Sequence, residues 1–278
     1  MSVIAALWAR NLKIWVRNRS ALIFTLAFPF FFVFVFANIF ATDFIENPMP
    51  FMMSGIIITT VFESGLRIAS NTIDDMTGGF MKEVLVSPTS RLNIALGQFA
   101  SSATIGTLQG ILIYILGFFM GLRITSPLTV VYSLLFMVFV SLVFAGFGLF
   151  LGTKAKNMQT FQALSMAITM PMTFLSGAYI PVASLPVALQ WVAYFNPMTY
   201  GVAVFRAITL EQIDAPLEQM LQLGMAYEFW GLTITPIVSI GILVVFGFIF
   251  LALSTWSFSK VDFSKMNRNW ADAADMFG

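Results

Sequence analysis

Long apolar runs with almost no charge, separated by short polar stretches, set the pattern of this chain. A helix rises about 1.5 Å per residue and the hydrocarbon core of a bilayer is about 30 Å thick, so roughly 20 apolar residues make one crossing. Six runs reach that length, at 21–41, 51–73, 92–122, 128–153, 158–177 and 230–256. The predicted class is all-α, a polytopic membrane protein whose six transmembrane helices form one domain over 1–278. The first run follows a basic stretch, but it exceeds the apolar core of about 7–15 residues found in a cleaved leader, so it reads as a retained anchor.

Basic residues flank the runs unevenly. With the N-terminus inside, Arg10, Lys13, Arg17, Arg19, Lys82, Arg91, Lys154, Lys156, Lys260, Lys265 and Arg268 fall on the cytoplasmic side, and only Arg123 and Arg206 fall outside. Cytoplasmic flanks carry the excess of Lys and Arg, so both termini are expected in the cytoplasm of a plasma-membrane protein. No charge lies between Lys156 and Arg206, and a further crossing would fit there. It would move Lys260, Lys265 and Arg268 outside, against the charge rule. The segment 178–200 is therefore expected to dip into the outer leaflet and return, a re-entrant external helix before the last span. Pro181, Pro186 and Pro197 break the helix there, while Tyr179, Trp191, Tyr194 and Tyr200 suit the headgroup level.

Two stretches are expected to face the cytoplasm. In segment 1–20, Arg10, Lys13 and Arg17 share one helical face, and Ile4, Leu7, Trp8, Leu12 and Trp15 share the opposite one. That pattern predicts an amphipathic helix on the inner membrane surface. Segment 74–91 is the most polar part of the first half. Gly78 and Gly79 permit a sharp turn, Phe80 through Val86 can form about two helical turns, and Pro88 ends them.

Composition removes most chemistry. Apolar residues make up 59% of the 278 and charged residues 10%, against about 25% charged in soluble domains. The net charge of +1 leaves no nucleic-acid footprint. Cysteine and histidine are both absent, which removes the commonest metal ligands, any disulfide, and the proteases that depend on imidazole. No GxxxxGK[ST] sequence occurs, so ATP is not bound by that route. Within the second run, Glu63 and Arg67 stand one helical turn apart, spaced to pair with each other or to face a watery path. Methionine (17) and phenylalanine (31) would suit either adaptable binding surfaces or plain packing. Gly106 with Gly110, and Gly117 with Gly121, have the spacing of close helix packing.

Three features, in this order, resemble the membrane subunit of type-2 ATP-binding-cassette exporters, including the daunorubicin-resistance-like permeases. They are the basic amphipathic start; the loop holding Asp75, Gly79, Glu83, Leu85, Ser87, Pro88 and Arg91; and Phe174-Leu-Ser-Gly177 continuing through Pro181, Pro186, Trp191, Asn196, Pro197 and Tyr200 to Arg206. The resemblance implies a permease that pairs with a second copy or a sister permease and docks on two ATPase subunits, which hold the ATP and Mg. It implies that Asp75, Gly79, Phe80, Glu83, Leu85, Pro88 and Arg91 form the coupling segment, braced by the N-terminal helix. It also implies that the second and fifth spans line the path, with Glu63, Arg67 and Phe174 along it. The substrate would be a hydrophobic or amphipathic molecule taken from the cytoplasm or inner leaflet. An ion-coupled secondary carrier and a membrane scaffold remain as other readings; the first would use Glu63 as a proton carrier, the second would need no path at all.

Overall fold

The computed structural model describes residues 3–36, 48–77, 91–155 and 157–259. The elements, in chain order, are α1 (Val3–Arg17), α2 (Arg19–Phe36), α3 (Pro48–Thr77), α4 (Arg91–Phe119), α5 (Pro127–Lys154), α6 (Met158–Phe174), a 3-10 turn (Val182–Ser184), α7 (Val187–Phe195), α8 (Pro197–Thr209), α9 (Leu217–Gln222), β1 (Tyr227–Phe229), β2 (Leu232–Ile234) and α10 (Pro236–Ser259). Helices α3, α4, α5 and α10 are each long and apolar enough to cross a membrane, and α1 with α2 meets the same test as a pair bent by 69°. That makes four crossings among the described residues, or five with the bent pair, where six were expected. Helix α6 falls short because it has 17 residues and carries Gln159 and Gln162. Residues 37–41 of the first predicted run lie outside the described residues.

The bend between α1 and α2 has a local cause. Asn18 interrupts the helix, its backbone N–H closing on Ile14 and Trp15, while its side-chain oxygen accepts from the N–H of Ala21 and caps α2. Helix α1 then lies sideways on α4. Leu7 and Asn11 are buried there. Asn11 Nδ2 donates to Gln98 Oε1 at 2.9 Å and to Ser101 Oγ at 3.1 Å, and Trp8 Nε1 donates to Thr104 Oγ1 at 2.9 Å. Part of the face read as apolar is thus used on α4, through a polar residue that the helical wheel did not assign to it.

Helix α3 is the axis of the bundle, packed by α4, α5, α6 and α8. Its Pro48–Arg67 window is 83% buried, against 22% for α10, so α10 presents apolar surface outward while α3 is enclosed by protein. Phe62 and Phe144 meet edge to face at 4.3 Å where α3 crosses α5. Gly106 and Gly110 let α4 approach α5: an added Cβ would lie 2.6 Å from Ser141 Oγ and 2.7 Å from Met137 Sδ.

One predicted boundary moves. The run 230–256 was read as a single span, but its start belongs to a hairpin in which Tyr227 pairs with Ile234 and Phe229 with Leu232. Trp230 and Gly231 form the turn with φ of 52° and 76°, the left-handed pair that a two-residue hairpin loop requires. The last helix begins only at Pro236. The fold is therefore helical with one small two-stranded ribbon.

Candidate functional site

Glu63 sits midway along α3, on the side left open by α4 and α5. Arg67 Nη2 lies 3.7 Å from Glu63 Oε2, and the two side chains keep 52% and 43% of their surface. At that separation the pair is longer than a charge-assisted hydrogen bond of about 2.7–2.9 Å, so it orients the two groups without locking them.

Three clefts converge on this pair. The first, 360 Å³ between α2 and α3, has aromatic walls from Phe24, Phe28 and Phe32, with Tyr179 across from them. Its threonine hydroxyls are already engaged: Thr25 donates to the Ala21 carbonyl, and Thr59 and Thr60 to that of Ile56. The second, 350 Å³ between α3 and α6, is bordered by Leu66, Phe161, Gln162, Ser165 and Met166. The third, 150 Å³, lies under the α1–α2 bend and sets Asn11, Asn18, Ser64, Ser102 and Gln109 beside Ile14, Trp15 and Ile105. Arg67 borders all three, and Glu63 the first two. Of the predicted path residues, the structure thus brings Glu63 and Arg67 together. Phe174 stands apart, exposed at the far end of α6, and is joined to the first cleft through Tyr179, whose ring lies 5.5 Å from Phe174 and 4.8 Å from Phe32.

The end of the bundle beyond Tyr179 is closed by a buried cation that the charge count had assigned to the outer side. Arg206, on α8, is 0% exposed. Its guanidinium stacks on Phe51 at 3.6 Å. Nη2 donates to the carbonyl of Gly177 at 2.8 Å, Nη1 to that of Leu223 at 3.1 Å, and Nε to Ser54 Oγ at 3.2 Å, with longer contacts to Ala178 and Phe51. One side chain so fastens α3, the turn after α6, α8 and the loop after α9. Gly55 makes the approach possible, since a Cβ there would lie 2.4 Å from the Ala178 carbonyl oxygen.

The predicted re-entrant residues shape this end. Pro181 precedes the 3-10 turn and Pro186 precedes α7. Trp191 packs on Phe229 and Trp230 of the hairpin at 5.2 and 5.5 Å. Asn196 separates α7 from α8: its Nδ2 donates to the Met172 carbonyl at 2.7 Å and its Oδ1 accepts from the Met198 N–H at 3.0 Å. Pro197 occupies the first turn of α8, where its missing N–H costs nothing. Helix α8 is buried on nearly every side.

Glu211, in the loop after α8, completes the closure. Its carboxylate accepts from the N–H groups of Thr125 and Ser126, both at 3.0 Å, from Thr129 Oγ1 at 2.7 Å, and from Thr125 Oγ1, capping the start of α5. The Thr129 hydroxyl, then the Ser126 and Thr125 amides, hold its pKa below the ordinary carboxylate value, the slight desolvation opposing them. Neither Glu211 nor Asn11 stood out in the sequence, because each acts on partners more than eighty residues away.

Arg10, Lys13 and Arg17 border one shallow groove on α1, on the side away from the Leu7 and Asn11 contacts. Asp75 lies in the last turn of α3 and Arg91 opens α4. Gly79, Phe80, Glu83, Leu85 and Pro88 lie outside the described residues.

A family model described as ABC-2 type transporter matches residues 2–210. The chain is similar to the inner membrane transport permease YadH of Escherichia coli, 24% identical over 87% of this chain and 88% of that protein. It is also similar to nodulation protein J of Rhizobium leguminosarum bv. viciae, 27% identical over 74% of this chain and 82% of that protein. With the transport permease ycf38 of Porphyra purpurea it shares 31% identity over 57% of its own length, and the match spans 55% of that relative.

Proposed function

We propose that this chain, which belongs to the ABC-2 type transporter family, is the permease subunit of an ATP-driven exporter of hydrophobic or amphipathic substrates. Family membership and the span-length helices make it a multi-pass transmembrane permease. ATP-driven export is the further step, and the observation that carries it is the family match across 2–210.

In this reading the chain sits in the plasma membrane with both termini in the cytoplasm, and α6 supplies the sixth span. Two permeases, identical or sister, pair above two ATPase subunits that hold ATP and Mg. Force enters through 74–91. Helix α3 supports that role: it continues for ten residues past Arg67, about 15 Å of rise, before the segment begins. Asp75, Gly79, Phe80, Glu83, Leu85, Pro88 and Arg91 form the coupling surface, and α1 braces it with Arg10, Lys13 and Arg17 toward the membrane surface and the ATPase. The clefts along α3 that meet at Glu63 and Arg67 form the path, with Phe174 farther along α6, and the re-entrant segment 178–200 closes its outer end.

The test is co-purification with the partner ATPase, followed by substrate-stimulated ATP hydrolysis. Replacing residues 80–86 with a flexible Gly-Ser stretch, or Glu83→Ala, is expected to dissociate the complex or abolish stimulation. Intact transport-linked hydrolysis after the whole helix is replaced would overturn the coupling assignment.

A further inference from the structure

We infer that Arg67 is a two-position side chain: it rests on Glu63, and it turns into the cleft lined by Asn11 and Gln109 when an amphipathic cation takes Glu63. The inference rests on the permease reading above and names the charge class of what the α2–α3 cleft admits.

The cleft selects for positive charge. Glu63 stands at its base, and its walls are the rings of Phe24, Phe28 and Phe32 with Tyr179 facing them. Ring faces carry negative potential, so they favour a cation near the carboxylate and disfavour an anion near the guanidinium. A volume of 360 Å³ accommodates the apolar body of a drug-sized molecule. Arg67 is the obstacle, since it already neutralises Glu63. At 3.7 Å, beyond the roughly 2.7–2.9 Å of a charge-assisted hydrogen bond, that pair is loose enough to be exchanged.

The third cleft supplies somewhere for Arg67 to go. Asn11 and Gln109 are 1% and 3% exposed, yet Asn11 Oδ1 and Gln109 Oε1 have no hydrogen-bond partner. Buried acceptors without donors are costly, and both residues border the space that Arg67 also borders. A guanidinium brings five donors and no acceptor, the complement of two orphaned carbonyl oxygens once the Asn11 and Gln109 amides turn them toward the cleft, which Ser64 and Ser102 also line. Asn11 is also the residue that fixes α1 to α4, so the arrival of Arg67 there would report occupancy of the path to the N-terminal helix.

Tetraphenylphosphonium and tetraphenylborate, nearly the same shape with opposite charge, test this on the purified chain in nanodiscs of phosphatidylcholine. Phosphonium binding, measured by equilibrium dialysis, is expected to weaken about tenfold or more in Glu63→Gln. Gln109→Met is expected to weaken it about threefold or more, although Gln109 does not border the first cleft. Arg67→Gln, with the competitor gone, should bind phosphonium more tightly and should no longer respond to Gln109→Met, an outcome that misfolding cannot mimic. Borate bound in preference to phosphonium, and lost in Arg67→Gln, would overturn the charge class. A silent Gln109→Met would overturn the second position and leave the third cleft as a water cluster only. The assay needs no ATPase, so failed coupling leaves it standing, whereas ATP-driven export without phosphonium binding would sink this inference alone.

Discussion

Arg206 is where one substitution should cost the fold most. Arg206→Met keeps the apolar stem and roughly the volume but removes the guanidinium. Two terms move in opposite directions. The variant recovers the desolvation cost of a buried cation, several kcal/mol, and loses the stack on Phe51 together with the charged hydrogen bonds, of comparable total size. Those terms nearly cancel. What does not cancel is the backbone: the carbonyls of Gly177 and Leu223 stay where they are and lose their donors at about 1–3 kcal/mol each. Replacing a buried ion pair by apolar residues can be harmless because both partners leave; here the partners are peptide groups and cannot leave. The net expectation is a loss of about 2–6 kcal/mol, read as a fall in melting temperature of about 2–4 °C per kcal/mol when the detergent-solubilised chain is followed by tryptophan fluorescence. Arg206→Lys should not restore it, because one ammonium cannot reach carbonyls on both sides of the fork. A parental melting temperature for Arg206→Met, or full rescue by lysine, would refute the reasoning.

Glu211 predicts a pH dependence. Its hydrogen bonds hold its folded pKa below the ordinary 4.5, so its contribution is fully present above that value and is lost as pH falls through the depressed one. The difference in melting temperature between the parent and Glu211→Gln should be flat from neutrality down to about pH 5 and shrink toward zero in stronger acid; a difference that grows on acidification would contradict this. Gly55→Ala should destabilise by about 1–3 kcal/mol, because its Cβ would lie 2.4 Å from the Ala178 carbonyl oxygen, whereas Gly241→Ala, into open space, should cost nothing; the same melts compare them. Asn11→Leu should cost about 1–3 kcal/mol and free α1, since Gln98 and Ser101 lose their partner; hydrogen exchange should rise in α1 and not in α5.

Length made the long helices legible: α3, α4, α5 and α10 announce themselves as long apolar stretches with little charge, and the break at Asn196-Pro197 follows from chemistry at those two residues. The hairpin was missed because Tyr227–Phe229 and Leu232–Ile234 are too short to display a period and are apolar enough to merge with α10. Gly231 after a single residue between two short alternating strands was the available signal. Arg206 was read as a charge on the outer side, and its burial was illegible for a different reason. What buries it is a fan of peptide carbonyls from three parts of the chain, around Phe51, Gly177 and Leu223, which no spacing rule encodes. Glu63 and Arg67 were found as a pair because i, i+4 spacing is local; the three clefts around them come from α1, α2, α4 and α6 and became visible only once those helices were placed.

The two ends of the bundle are held by different numbers of bonds, and that difference bears on how such a chain can move. Around Arg206, one guanidinium bonds to carbonyls of α3, of the turn after α6 and of the loop after α9, with Asn196 between Met172 and Met198, Tyr227 on the Gly224 carbonyl and Glu211 on the start of α5. Helix α1 is tied to α4 by fewer side-chain bonds, from Trp8 and Asn11. Buried atoms without partners do not tell the ends apart, since Asn11 Oδ1, Gln98 Nε2 and Gln109 Oε1 around α1 and α4 are matched by Thr173 Oγ1 on α6, Gln212 Oε1 after α8 and Ser239 Oγ on α10. A displacement at Arg206 strands several peptide carbonyls at once, whereas one at α1 breaks the few bonds of two side chains. Displacement applied near α1 is therefore the easier of the two, and α3, α4 and α5 are the helices that connect it to the Arg206 closure.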